Sequence, residues 1–400
     1  MTTTFLTGPA GTGKTTEAVN HLRSLLEGNT PADSILVIVA QQTLAGPYRD
    51  LLRDPTLPGA GAVDILTMNG LALRTINLFW PSIAGKAGFA RPHHPPIFLD
   101  IETSQYYLKQ AIDPLLAQGY FDPNVVPVTI PIPRLMSQIL DNLNKAALLG
   151  LAHTAVGERL AASLTLEPSN RVALEHTQAC VNAFRDFCLA RNLLDFSLRI
   201  DTFYQHLWPN PGVREYLTSR YQHLIVDNVE EDNPFSHTII SEWLPTVETA
   251  LLVHDEDAGY RIFLGANWRT AAALKKQCDQ TRRKRKSRVA PPEMLELGLR
   301  LSQTLDKPQS SKKTKSPISN PSTTLRTGLQ SPSIDPRPAF EFHQHRFYPQ
   351  MIEAVISRIA DLIESGTSPN DIVVLAPFVS DALRFSFTER MKERGLPARS

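Results

Sequence analysis

The stretch Gly8-Pro9-Ala10-Gly11-Thr12-Gly13-Lys14-Thr15 fits the pattern G-x-x-x-x-G-K-[ST] at every position. Residue types in this order do one kind of chemistry. The glycines let the backbone curl until several N–H groups converge on a single phosphate. A helix that starts straight after the loop adds its positive end. Lys14 is expected to reach the β- and γ-phosphates, and the Thr15 hydroxyl to hold Mg²⁺. The candidate nucleotide-binding residues are therefore Gly8, Pro9, Ala10, Gly11, Thr12, Gly13, Lys14, Thr15 and Thr16, with ATP and Mg²⁺ as the expected ligands. A carboxylate on the metal side is expected at the end of another strand. Asp227, which closes the apolar run Leu224-Ile225-Val226, suits that role through a bound water.

These groups need a scaffold, and the flanking sequence supplies one. Thr3–Thr7 is strand-like and leads straight into the loop. Ala18, Val19, Leu22, Leu25 and Leu26 then mark one face of a helix, which Gly28-Asn29-Thr30-Pro31 ends. Ile35–Ala40 is apolar throughout, as a strand buried on both faces is. Val63–Met68 is a third strand candidate. Leu224–Asp227 and Ala250–Asp255 each finish on an aspartate, which suits the ligand-bearing edge of a parallel sheet. The expected fold is α/β: a P-loop parallel sheet with a helical insertion, a linker and the start of a second lobe. Residues 1–90 and 199–300 form the first lobe, 91–198 the helical insertion, 301–339 a disordered linker rich in Ser, Thr and Pro, and 340–400 a partial second lobe. In that last piece, Met351–Ile363 reads as a helix and Asp371–Ala376 as a strand.

Composition narrows the function. The 400 residues carry 41 Lys and Arg against 40 Asp and Glu, a net charge of +1, so only local clusters speak for a polyanionic partner. Three cysteines make no disulfide scaffold, and Cys180 and Cys188 fall on a helical pattern as core residues. With no signal-like start and no membrane-spanning run, the expected location is the cytoplasm and no membrane partner is expected. Lys275–Arg288 sets eight basic residues against one acid; it is either a patch that attracts phosphates or a solvated helix face.

Three further segments carry a resemblance. The phosphate loop with Thr16 resembles the first motif of UvrD/Rep-type superfamily 1 DNA helicases. Leu224-Ile225-Val226-Asp227-Asn228-Val229-Glu230-Glu231-Asp232-Asn233-Pro234 resembles that family's strand-D-E-F-Q-D-T-N-P motif, and Val253–Ala266 resembles its V-G-D-x-D-Q-S-I-Y-x-[FW]-R-G-A motif. Thr67-Met68-Asn69-Gly70-Leu71-Ala72 is similar to the weaker T-x-H-S-[FL] motif. The resemblance implies a RecA-like ATP-binding lobe from a DNA helicase, acting on single-stranded or duplex-end DNA. Lys14 and Asp227 would then be catalytic. It also implies DNA contacts at Phe263, Gln42 and Thr67. Phe263 is either a platform for a stacked base or a core phenylalanine. Gln41, Gln42 and Thr43 are either backbone contacts or a polar strand end.

Departures from the family pattern also matter. Asn228 stands where the catalytic glutamate is expected, and an amide cannot take a proton from water. Glu230 or Glu231 is the candidate substitute. Ala258 replaces the glutamine that senses the γ-phosphate, and Leu264 an arginine. Degenerate motifs beside an intact phosphate loop resemble the AddB/RexB-like branch, which implies a helicase–nuclease partner subunit. The alternative is a non-catalytic ATP- and DNA-binding scaffold. A kinase or transporter ATPase fits less well, since no L-S-G-G-Q signature is present.

Overall fold

A computed structural model of the chain describes residues 2–57, 63–124, 126, 130–163, 168–305 and 334–396. They divide into two compact units, one ending at residue 291 and one starting at 292.

The first unit is built on a six-stranded parallel sheet. Its strands are β1 (Thr2–Gly8), β2 (Ile35–Val39), β3 (Asp64–Leu66), β6 (His223–Asp227), β7 (Thr249–Asp255) and β8 (Gln280–Arg283), in the order β3-β2-β6-β7-β1-β8. The two-residue period of a strand divides its side chains between two apolar layers. Ile35, Val37 and Val39 pack with Leu6, Ile225, Leu251 and Val253 against α1 (Lys14–Glu27) and α2 (Gly46–Leu52). Leu36 and Ile38 pack with Phe5, Leu224, Val226 and Leu252 on the opposite face, against α3 (Met68–Ile83) and α10 (Pro234–Trp243). The expected α/β fold is thus present, with its central strands buried on both sides. On α1 the buried stripe is Ala18, Leu22 and Leu26.

Between β3 and β6 the chain is mostly helical. Helices α4 (Ile101–Ala117), α5 (Ile132–Leu148), α6 (Val156–Ser163) and α7 (Pro168–Arg191) are followed by α8 (Phe196–Thr202) and α9 (Pro211–Arg220). A short parallel pair, β4 (Ile97–Phe98) with β5 (Leu193–Leu194), ties the two ends of α4–α7 together. Their core, including Cys180 and Cys188, is continuous with the layer under α3.

Two local expectations are corrected. The basic run Lys275–Arg288 is not one helix face: it starts in a 3-10 turn (Leu274–Gln277) that follows α11 (Trp268–Ala273) and continues through the edge strand β8, whose four residues are all exposed. An edge strand needs only one partner, and β1 supplies it, pairing Thr4 with Gln280 through Thr7 with Arg283. In the second unit, α12 (Pro292–Leu305), α13 (Tyr348–Glu364) and α14 (Asp381–Glu393) are helical, and Ile352, Ile356, Ile359 and Met391 form a small core. Asp371–Ala376, however, is not a strand. Pro369–Asp371 is a 3-10 turn and residues 372–376 pair with no other strand among the described residues. Backbone with β-prone side chains becomes a strand only beside a partner. Most of the expected linker, residues 306–333, lies outside the described residues, although α12 occupies its first positions. No described helix is long and apolar enough to cross a membrane.

Candidate nucleotide and DNA site

Strand register brings the predicted groups to one edge. Gly8 pairs with Asp255, and Val39 with Asp227, at the carboxyl ends of their strands. Only β7 stands between β1 and β6. Two interstrand spacings amount to about 10 Å, so the loop and Asp227 share one site.

The loop has the shape its sequence demands. Gly11 and Gly13 take the left-handed conformation, with φ of 71° and 78°. The Thr12 hydroxyl donates to the Pro9 carbonyl at 2.9 Å. No side chain caps α1, so the amides at its start, on Lys14, Thr15 and Thr16, are left for another acceptor. Lys14 is nearly buried; its ammonium donates to the carbonyls of Gly8 (2.8 Å) and Pro9 (2.6 Å) and pairs with the Asp255 carboxylate. The Ala10 amide donates to Asp257 Oδ1 at 2.8 Å. Two carboxylates thus hold donors suited to phosphate oxygens. Glu256, between them, faces away into a two-pronged pair with Arg283 at 2.8 and 2.7 Å.

Asp227 is buried at the end of β6. Tyr48, on α2, donates its hydroxyl to Asp227 Oδ2 at 2.8 Å, and burial holds the Tyr48 phenol far above its ordinary pKa, hence protonated. Burial also raises the Asp227 pKa, against the neighbouring Tyr48 and Thr15 hydroxyls, which lower it. Asp227 Oδ1 is buried and has no hydrogen-bond partner among the described residues. A buried, unpartnered carboxylate oxygen beside a threonine hydroxyl fits a hydrated divalent cation. Among the described residues no group of three or more His, Cys, Asp or Glu side chains forms a metal cage. Mg²⁺ held there would need oxygens from its nucleotide, as is usual for this ion.

Asn228 has φ of 58°, a left-handed conformation that asparagine tolerates better than glutamate does. Its side chain donates to Glu230 Oε1 at 3.3 Å, while Glu230 Oε2 accepts the Asp255 amide at 2.9 Å. Glu230 is completely buried, and burial pushes its pKa up to about 8. So placed, it braces β6 against β7, and near neutral pH it holds a proton instead of accepting one. Its folded-state value lies above the ordinary 4.5, so its stabilising contribution is complete below about 4.5 and is lost as pH rises through about 8. Urea unfolding of wild type and Glu230→Gln across pH 5 to 9 should show a difference that changes by up to about 1.4 kcal/mol per pH unit, with the wild type losing ground at high pH. A pH-independent difference would rule out a buried proton on Glu230.

Glu231 has another task. Its carboxylate accepts three successive amides, from Gly259 (2.9 Å), Tyr260 (3.0 Å) and Arg261 (3.1 Å). These bonds hold the 3-10 turn Tyr260–Leu264 that displays Phe263. Phe263 is 70% exposed, which excludes the core reading, and Tyr260 and Ile262 are exposed beside it. Arg261 ties this turn to the end of β2 by donating to the Ala40 carbonyl at 3.1 Å. Gln42, two residues on, is exposed, and its side chain is held by Arg49. Thr67 accepts the Gly70 amide at 3.0 Å as the N-cap of α3, so this hydroxyl has a structural duty as well.

Sequence reasoning missed two contributors and left a third undecided. Tyr48 carries no local signal at all. Asp257 could be inferred only from the β1–β7 register. The basic segment after β8 runs along the loop: Lys284 donates its amide to Thr7 (2.8 Å) and Arg288 to the Gly11 carbonyl (2.8 Å). The Arg288 side chain thereby lies alongside Gly13.

A sequence model of the UvrD/REP helicase N-terminal domain matches residues 1–279, the stretch that holds the phosphate loop, Tyr48, Asp227, Asp255 and the Tyr260–Leu264 turn. The chain belongs to that family. Among its relatives is the ATP-dependent DNA helicase UvrD2 of Mycobacterium bovis, 24% identical over 374 residues that cover 92% of this chain and 48% of the relative. UvrD2 of Mycobacterium tuberculosis matches with the same identity and coverage. The chain thus spans about half the length of these UvrD-like helicases. The UvrD/REP match ends just before β8, so the basic segment on the loop lies beyond it.

Proposed function

We propose that this chain is the ATP-binding N-terminal part of a UvrD-like ATP-dependent DNA helicase that works in repair or recombination. The observation that carries the reading is the unpartnered Oδ1 of Asp227 at the same sheet edge as the uncapped start of α1 and Lys14. In it, Gly8–Thr16 cradle the triphosphate, Lys14 exchanges Asp255 for phosphate oxygens, and Thr15 and Asp227 hold hydrated Mg²⁺. Bound Mg²⁺ supplies charge neutralisation on the phosphates. Arg288 and Lys284 add positive charge next to the loop. Residues 1–90 and 199–300 act as the first lobe, 91–198 as a helical insertion, 301–339 as a linker and 340–400 as part of a second lobe.

Hydrolysis by this chain is weak in this reading. Asn228 cannot take a proton, and Glu230 is buried with both oxygens engaged. That observation favours a second reading: a non-catalytic, AddB/RexB-like scaffold that binds ATP and DNA beside a catalytic partner subunit. Turnover of ATP with and without single-stranded DNA separates the two. Strong DNA-stimulated turnover that vanishes in Lys14→Ala would eliminate the scaffold.

Single-stranded or duplex-end DNA is the proposed substrate, with Phe263, Gln42 and Thr67 on the sheet edge that meets it. A base stacked on an exposed aromatic contributes roughly 1–3 kcal/mol. Phe263→Ala should therefore weaken binding of a labelled oligothymidine, measured by fluorescence anisotropy, by about that amount. Unchanged affinity would remove Phe263 from the DNA path.

A further inference from the structure

Tyr48 sits on α2, far in sequence from the motifs that define the site, and is fully buried in the layer that joins α1 and α2 to the sheet. Its ring packs among apolar side chains, yet its hydroxyl emerges from them at one point, 2.8 Å from Asp227 Oδ2. That leaves the two oxygens of one carboxylate in different states. Oδ2 is saturated by a neutral donor, while Oδ1 is buried and accepts nothing among the described residues. A carboxylate free to rotate about its last bond would take up any plane. Donation from the packed phenol fixes that plane, with one oxygen on Tyr48 and the other turned away from it.

We propose that Tyr48 is a positioning residue for the magnesium side of the nucleotide site: its hydroxyl fixes the rotamer of Asp227 so that Oδ1 alone is presented toward the metal. The inference rests on the nucleotide reading given above. Partners in the layer behind a metal-side group orient it, and their removal typically lowers metal affinity about 10- to 100-fold. With Asn228 in place of an acidic neighbour, Asp227 is the lone carboxylate at the end of β6, and Tyr48 is the donor held at 2.8 Å on its Oδ2.

The test is Tyr48→Phe, which keeps the ring and removes the hydroxyl. Binding of a non-hydrolysable ATP analogue is titrated in Mg²⁺ and in EDTA, and the ratio of the two dissociation constants gives the metal enhancement. Tyr48→Phe should reduce the enhancement about tenfold or more while the affinity in EDTA changes less than about twofold. In the Asp227→Asn background the same substitution should have almost no further effect, as expected of groups acting through one another. An unchanged enhancement, an equal loss with and without Mg²⁺, or full additivity with Asp227→Asn would each overturn the role and make Tyr48 a packing residue only. If the wild type bound no nucleotide, the nucleotide reading itself would fail and this role with it. Should Tyr48→Phe prove too unstable to titrate, Asp227→Glu, which displaces the carboxylate from the phenol but keeps its charge, must show the same selective loss. Intact enhancement in that variant would overturn the proposal.

Discussion

Replacing Lys14 with alanine should lower the affinity for a Mg²⁺-bound ATP analogue by at least about 100-fold, on the order of 3 kcal/mol, because a charge-assisted contact to phosphate is lost from a buried site. The Lys14 side chain is only 4% exposed, and its ammonium already engages the carbonyls of Gly8 and Pro9 and the Asp255 carboxylate. Its removal strips the loop of its one buried cation and leaves Asp255 opposite no charge. The effect on folding should be smaller. Burial already raises the Asp255 pKa, and Lys14 is the group that holds it down. Once the lysine is gone, Asp255 takes up a proton more readily and avoids the full penalty of an unpaired buried charge. Analogue binding by calorimetry and unfolding by urea should therefore separate, with a large loss in the first and a modest one in the second. A variant that binds as tightly as the wild type would place the nucleotide somewhere else.

Gly8→Ala should be the more damaging change to the fold. Gly8 closes β1 at φ of 155°, a conformation that side chains rarely adopt. A methyl group there would lie 2.3 Å from the Lys284 carbonyl oxygen, which is backbone and cannot swing aside. Backbone strain of about 1–3 kcal/mol combines with overpacking of about 1–3 kcal/mol. The cheapest escape is to move β8 and the basic segment off β1, which breaks the hydrogen bond from the Lys284 amide to Thr7. Hydrogen exchange should show faster exchange at the Lys284 amide, together with a loss of stability of roughly 2–4 kcal/mol. Gly46→Ala, where nothing lies within 4 Å of the added methyl and the backbone is helical, is the control and should leave Lys284 exchange unchanged and stability no lower than wild type. Wild-type exchange at Lys284 in Gly8→Ala would mean that β8 does not depend on this glycine.

The parts of this site that were readable from sequence are those in which one short segment carries both the element and the chemistry. The loop glycines, the strand before them and the stripe on α1 are local features, and Ile35–Val39 declares its two buried faces by being apolar throughout. Asp227 and Asp255 were visible because each ends such a run. What stayed hidden depends on register between distant segments. Asp257 meets Ala10 only because β7 pairs with β1. The basic run read either as a phosphate-attracting patch or as a solvated helix face, because its charge pattern does not reveal that β1 offers an open edge. Tyr48 went unnoticed, since a phenol on a short helix gives no sign of the carboxylate 179 positions away. Glu230 shows the converse: its type suggested a base, while its burial and its two donors make it a brace. Asp371–Ala376 had the residue types of a strand but has no neighbour to pair with among the described residues.

The most direct test is a calorimetric titration of the whole chain with a non-hydrolysable ATP analogue, in Mg²⁺ and then in EDTA, with pyrophosphate as competitor. Saturable binding of one molecule per chain, tightened by Mg²⁺ and displaced by pyrophosphate, is the predicted result. Absence of saturable binding, or binding that neither Mg²⁺ nor pyrophosphate affects, would show that residues 8–16 and Asp227 do not form a site for a metal-bound triphosphate.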